Sequence, residues 1–177
     1  MLPQSMKELE RIRNSCKKLV TRKAMLSGTA AMVPIPGTDV VADVGMLMRL
    51  IPEINERFGL AETQLAELDA QRKAAAYGII TAVGSHLIGH AVTRRLIFAL
   101  VKKAAARYAA KGATKFVPVV GTAVAGALSY GAMKYVGNKH VEDCYRVAKR
   151  ILERQAAEAG SAGKDDAASE PPRLAAT

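Results

Sequence analysis

The sequence predicts an all-α fold, a helical bundle of two pseudo-repeated hairpins, and three observations carry that prediction. Apolar residues recur at three- and four-residue spacing in most of the chain, the step that keeps side chains on one face of a helix. Half of the 177 residues are apolar, yet aromatics are only 5% and Trp is absent, so the core must be built from Ala, Leu, Ile, Val and Met. Small side chains of that kind, with 14 glycines among them, suit closely approaching helices better than a thick sheet core. The third observation is internal. Val33-Pro34-Ile35-Pro36-Gly37-Thr38 returns as Val117-Pro118-Val119-Val120-Gly121-Thr122, each time between a basic segment and an apolar one. Gly28 and Gly112 fall at matching offsets, as do Val40 and Val124.

The first helix opens at Ser5-Met6-Lys7-Glu8, which has the form of a capping box. Leu9, Ile12, Cys16, Leu19 and Val20 then make one apolar stripe, with cations between them. A break follows at Pro34, Pro36 and Gly37, because two prolines remove N–H donors and force an extended path. Thr38 is a suitable N-cap for a second helix through Val40, Val44, Leu47 and Ile51, kinked at Pro52 and closed by Phe58-Gly59-Leu60. A short polar helix is expected over 62–68. The stretch Ala74 to Thr93 carries no Asp, Glu, Lys or Arg, and a basic helix through Leu96 and Leu100 comes after it. Pro118 and Gly121 make the second break, so the last helix is expected to start at Thr122. Beyond Gln155 the composition turns to Ala, Gly, Ser, Asp, Glu and Pro, which predicts one domain over 1–157 and a disordered tail over 158–177.

Charge is the main functional signal. Lys and Arg exceed Asp and Glu by ten, and the excess is unevenly placed. No carboxylate side chain lies between Asp69 and Glu142, an interval that holds Arg94, Arg95, Lys102 and Lys103 among other cations. A second run, including Lys17, Lys18, Arg22 and Lys23, faces only Glu8 and Glu10. Such one-sided fields attract anionic surfaces, and these eight residues are the expected contacts with anionic lipid. Nucleic acid is the rival anion, but the sequence shows no helix–turn–helix recognition pattern, zinc finger or aromatic stacking platform. The reading that follows is a membrane-associated helical protein at the inner, cytoplasmic face of a membrane, partly inserted through its Gly/Ala-rich helices. The alternative is a soluble protein–protein interaction module; homo-oligomerisation is left open.

No catalytic constellation or cofactor is expected. There is no Gly-x-Ser-x-Gly elbow, and Cys16 and Cys144 stand apart from each other and from any histidine cluster in sequence. Both thiols should be free in a reducing compartment, and no leader segment is expected. Asp39 and Asp43, and likewise His86 and His90, are spaced four apart, so facing pairs would present four metal ligands. Asp39 is more simply a charge that favours its helix N-terminus.

The run Ala30-Ala31-Met32-Val33-Pro34-Ile35-Pro36-Gly37-Thr38-Asp39, with Phe58-Gly59-Leu60 downstream, resembles the helical region that accompanies Era-like and immunity-related GTPase domains. Phe116-Val117-Pro118-Val119-Val120-Gly121, followed by small residues and Tyr130, is similar to that region's second half, and the EcsC-like family has a comparable break. The resemblance spans about Ala24 to Ala148 and implies an all-α domain of poorly defined role, often membrane-associated; a separately encoded GTPase is the example of a partner for the interaction-module alternative. It does not bring nucleotide hydrolysis with it. No GTPase domain precedes the motif, and the one Gly-Lys pair, Gly163-Lys164, is followed by Asp165 rather than the Ser or Thr of a phosphate-binding loop.

Overall fold

In the computed structural model of the chain, residues 1–30, 38–83, 87–89, 95, 97, 99 and 118–168 are described, with side chains at 1–29, 43–83, 87–89, 95, 97, 99 and 126–160. The architecture is all-α. Five helices are described: α1 Met6–Ala30, α2 Thr38–Arg57, α3 Glu62–Ala66, α4 Ala70–Val83 and α5 Pro118–Ala168. Arg95, Ile97 and Ala99 also have helical backbone. The breaks at Pro34, Pro36 and Gly37 lie outside the described residues.

Local chemistry explains the helix ends. Ser5 Oγ accepts the Glu8 N–H at 3.2 Å, which is the cap half of the box, while the Glu8 carboxylate reaches one residue further back than a strict capping box, to the Gln4 N–H at 2.8 Å. At the far end of α2, Gly59 has φ +72°. Leu60 N–H donates to the Asn55 carbonyl at 2.8 Å and Gly59 N–H to the Glu56 carbonyl at 3.1 Å. This pair of bonds is a Schellman stop, with Phe58 and Leu60 buried beside it. Asp69 opens α4 by accepting the Arg72 N–H at 2.9 Å.

Two helix limits differ from the sequence expectation. Helix α5 begins at Pro118, not Thr122. The second motif carries Val120 where the first has Pro36, which restores an N–H donor, and Pro118 itself fits the first helical position where no donor is needed. Gly121 therefore lies inside the helix. Helical backbone also continues to Ala168, past the boundary expected at 158, through an alanine-rich segment that Arg154 and Glu158 brace with an i,i+4 ion pair of 2.8 Å.

The bundle is organised on α5. Helix α1 lies antiparallel to it, with Arg13 opposite Glu142 at one end and Gly28 opposite Gly126 at the other. Helix α2 lies antiparallel to α1, with Arg57 opposite Ser15 and Asp43 opposite Ser27. Leu9, Val20, Leu50, Ile54, Phe58 and Val147 are among the core residues excluded from solvent. The glycines at the α1–α5 seam permit this approach. A Cβ on Gly137 would sit 2.7 and 2.9 Å from the two methyls of Val20, and one on Gly28 would sit 3.0 Å from the Gly126 carbonyl oxygen. Gly137→Ala should therefore destabilise by about 1–2 kcal/mol in urea unfolding, despite the roughly 1 kcal/mol of helix propensity that alanine adds. Val20→Ala in the same chain should recover part of that loss, and independent effects of the two changes would refute the close seam.

The apolar stretch from Ala74 to Thr93 is not one helix. Helix α4 is described to Val83, and Leu87–Gly89 form a turn with Gly89 at φ +71°. Among the described residues no helix is long and apolar enough to cross a membrane, so insertion of a spanning Gly/Ala-rich helix has no support there.

Candidate anion-contact surface

Helix α1 presents two faces of different character. Toward α5 its cations are paired. The Arg13 guanidinium grips Glu142 through Nε at 3.1 Å and Nη2 at 2.8 Å, and Lys17 Nζ lies 2.7 Å from the same carboxylate. Burial works to raise the Glu142 pKa, but the hydrogen bonds from Arg13 and Lys17 outweigh it and hold the group below its usual value. Arg13 also covers the Tyr145 ring at 4.6 Å, while Tyr145 Oη donates to Glu10 at 2.5 Å. Lys17 is therefore part of an interhelical latch.

The outer face is different. Lys7, Arg11, Asn14, Lys18, Arg22, Met25 and Thr29 follow one another at steps of three or four, share one side of the helix, and are all exposed. At 1.5 Å per residue the stripe is about 33 Å long. No ion pair among the described residues engages its four cations. The stripe ends in an apolar tip, where Met25 is 57% and its neighbour Leu26 55% exposed. By contrast several cations of α5 are locally answered: Lys139 and Arg146 share Asp143, and Lys149 faces Glu153.

Of the contacts expected from sequence, Lys18 and Arg22 lie on this stripe, Lys23 is half-buried at its flank, and Arg95 is exposed elsewhere on helical backbone. Arg94, Lys102 and Lys103 lie outside the described residues. Lys7, Arg11, Met25 and Leu26 complete the surface. The two leucine-sized side chains left in water beyond Arg22 could have been noticed on a helical projection, because they interrupt the polar side.

Two buried polar clusters were not foreseen. Asp43 accepts hydrogen bonds from Ser27 and from Ser129, the latter at 2.5 Å, and joins α1, α2 and α5. Asp43 is thus engaged by hydroxyls; the Asp39 side chain, His86 and His90 lie outside the described residues. No group of three His, Cys, Asp or Glu side chains suited to a metal ion occurs among the described residues. The second cluster centres on Asn55, whose Nδ2 donates to the Leu87 carbonyl at 2.7 Å. With the amide so oriented, Oδ1 accepts from His140 Nε2 at 2.9 Å and from the Cys144 thiol at 3.4 Å. Burial lowers the His140 pKa to about 4, pushes the Cys16 thiol up to about 11, and raises Cys144 well above its usual value. Both cysteines are buried and free. Thiols so disposed are held protonated, which is the opposite of an activated nucleophile.

Fold and surface together define a class: an all-α bundle with a basic outer helix. No protein-family model matches the chain, and no solved structure matches it. Curated relatives do. The interferon-inducible GTPase 5 of Bos taurus is 27% identical over 157 residues, which is 85% of this chain and 34% of the relative. Its counterpart from Rattus norvegicus is 26% identical over 155 residues, 84% of this chain and 33% of the relative. The chain spans about a third of the length of these relatives, and the likeness suggests a distant link to the immunity-related GTPases. The EcsC-like likeness rests on the proline–glycine break alone.

Proposed function

We propose that this chain is a non-catalytic helical module that lies on an anionic membrane surface, at the cytoplasmic face, through the outer side of α1. The observation that carries the reading is the stripe itself: four exposed cations in register, without ion pairs among the described residues, leading to exposed Met25 and Leu26. A basic residue near an anionic leaflet contributes about 1 kcal/mol, so the stripe supplies up to roughly 4 kcal/mol of salt-sensitive attraction. Burying the exposed parts of Met25 and Leu26 between headgroups adds an apolar term of about 1–2 kcal/mol that salt does not screen. The raised pKa values of the buried thiols speak against either cysteine as an activated nucleophile.

The test is sedimentation with neutral and phosphatidylserine-containing vesicles. The chain should bind the anionic vesicles and lose most of that binding at about 0.5 M salt. Reversing Lys7, Arg11, Lys18 and Arg22 to Glu should weaken partition at least about 100-fold. Equal binding by the reversed variant would refute the assignment.

A second reading has one observation in its favour. Similarity to interferon-inducible GTPase 5 across 85% of the chain fits a module that partners a separate GTPase. Its cationic face would then meet an acidic protein surface. Vesicle binding separates the two, because a purely protein-directed surface has no need of anionic lipid.

A further inference from the structure

We propose that the groove between α1 and α2 is a binding site for a phosphoryl monoester, with Arg11 and Arg57 as its guanidinium contacts. The proposal rests on the membrane reading only for the source of the ligand, a lipid headgroup; the site itself would take the same group free in solution.

The groove has a volume of 310 Å³ and is lined by Arg11, Ile12, Ser15 and Arg57. It is a shallow groove, open to solvent on its outer side. Its two cations come from different helices, so they approach a ligand from two sides. Arg57 is held in place before any ligand arrives: Nη1 donates to Ser15 Oγ at 3.0 Å and Nη2 to Glu53 Oε1 at 2.8 Å. A guanidinium has more N–H donors than these two bonds use, and the remainder are available to an anion. Ser15 accepts from Arg57, which leaves the hydroxyl proton of Ser15 free to be donated. No ion pair among the described residues engages Arg11, and Arg57 is paired with Glu53 at 2.8 Å.

The chemistry selects the ligand class. A phosphoryl monoester offers three terminal oxygens and close to two negative charges, enough for a fork contact with one arginine and a further bond to the other. A phosphodiester, with one charge and two free oxygens, satisfies the pair less well. Lysine would not replace Arg57, because an ammonium lacks the planar fork.

The experiment compares the full chain with Arg57→Lys and Arg57→Gln on two vesicle sets of equal negative surface charge. One carries phosphatidylserine, a phosphodiester, and the other phosphatidic acid, a phosphomonoester. Inorganic phosphate and glycerol 3-phosphate are titrated separately in solution. The expected result is about tenfold tighter binding to the monoester vesicles, an excess that Arg57→Lys abolishes while binding to phosphatidylserine stays the same. Loss of the excess at unchanged net charge separates a built site from general attraction. Binding of inorganic phosphate that is sensitive to Arg57→Lys, with no vesicle excess, would support the site with free phosphoryl groups as its ligand. Equal binding of both vesicle sets together with no Arg57-dependent binding of soluble phosphate would overturn the proposal. Failure to bind any vesicle would refute the membrane reading alone, since the soluble titration still decides the site.

Discussion

Replacing Asn55 by leucine should lower stability by about 3–4 kcal/mol and the melting temperature by roughly 10 °C. Asn55 is 4% exposed and is the only side chain that bonds α2 simultaneously to the Leu87 carbonyl and to His140 and Cys144 of α5 among the described residues. Leucine is close in size, so little cavity forms; the cost comes from stranded polar groups. The Leu87 carbonyl loses its donor, and the His140 Nε2–H loses its acceptor, in a place water does not reach. Each such loss costs about 1–3 kcal/mol. Changing His140 to leucine in the same chain removes one stranded group and should recover about 1–2 kcal/mol. The measurement is urea unfolding followed by helical circular dichroism, and a loss under about 1 kcal/mol for Asn55→Leu would show that the cluster does not hold these elements together.

Acid should weaken the fold well above the range where carboxylates titrate, and His140 is the reason. Burial opposes its charged form first, and the nearby Asp143 offsets this only in part, so the folded-state pKa falls from 6.5 to about 4. The unfolded chain takes up the proton near 6.5, whereas the folded chain resists until about pH 4. Between those values the unfolded state holds more protons, so stability falls as pH falls. The contribution is complete above pH 6.5 and absent below about 4, and totals roughly 3 kcal/mol. Unfolding free energies at pH 7.5, 6 and 5 should show the decline. His140→Gln, which keeps a donor for Asn55, should be less steep over the same interval. An identical slope in that variant would mean His140 is not the titrating group.

The helical architecture was legible where α1 and α2 carry their own apolar period and punctuation. Ser5 with Glu8 marks the start of α1, and Phe58-Gly59-Leu60 marks the end of α2 within a residue. The start of α5 was misplaced because Pro118 reads as a breaker in isolation, while its effect depends on Val120 two residues later. The turn at Leu87–Gly89 was hidden by the uninterrupted apolar composition around it. The candidate surface was half legible. Net charge identified α1 as basic, but Glu142, far along the chain, neutralises Lys17, and only the fold brings them together. Asn55 and His140 were not legible as a pair, since 85 residues separate them. An amide at a core position of α2, between Ile51 and Ile54 on one side and Phe58 on the other, was the one local hint.

The membrane role of this protein depends on whether the outer face of α1 meets lipid. The chain has no tryptophan, so a single Met25→Trp substitution makes an unambiguous fluorescent reporter at the apolar tip, with Leu128→Trp on exposed α5 as its companion. On adding phosphatidylserine vesicles at low salt, the emission of Met25→Trp should shift to the blue and become protected from an aqueous quencher. Leu128→Trp should change little, and neither should respond to neutral vesicles. An unchanged Met25→Trp spectrum while the protein sediments with the vesicles, or an equal shift at Leu128, would contradict the assignment of α1 as the membrane-facing surface.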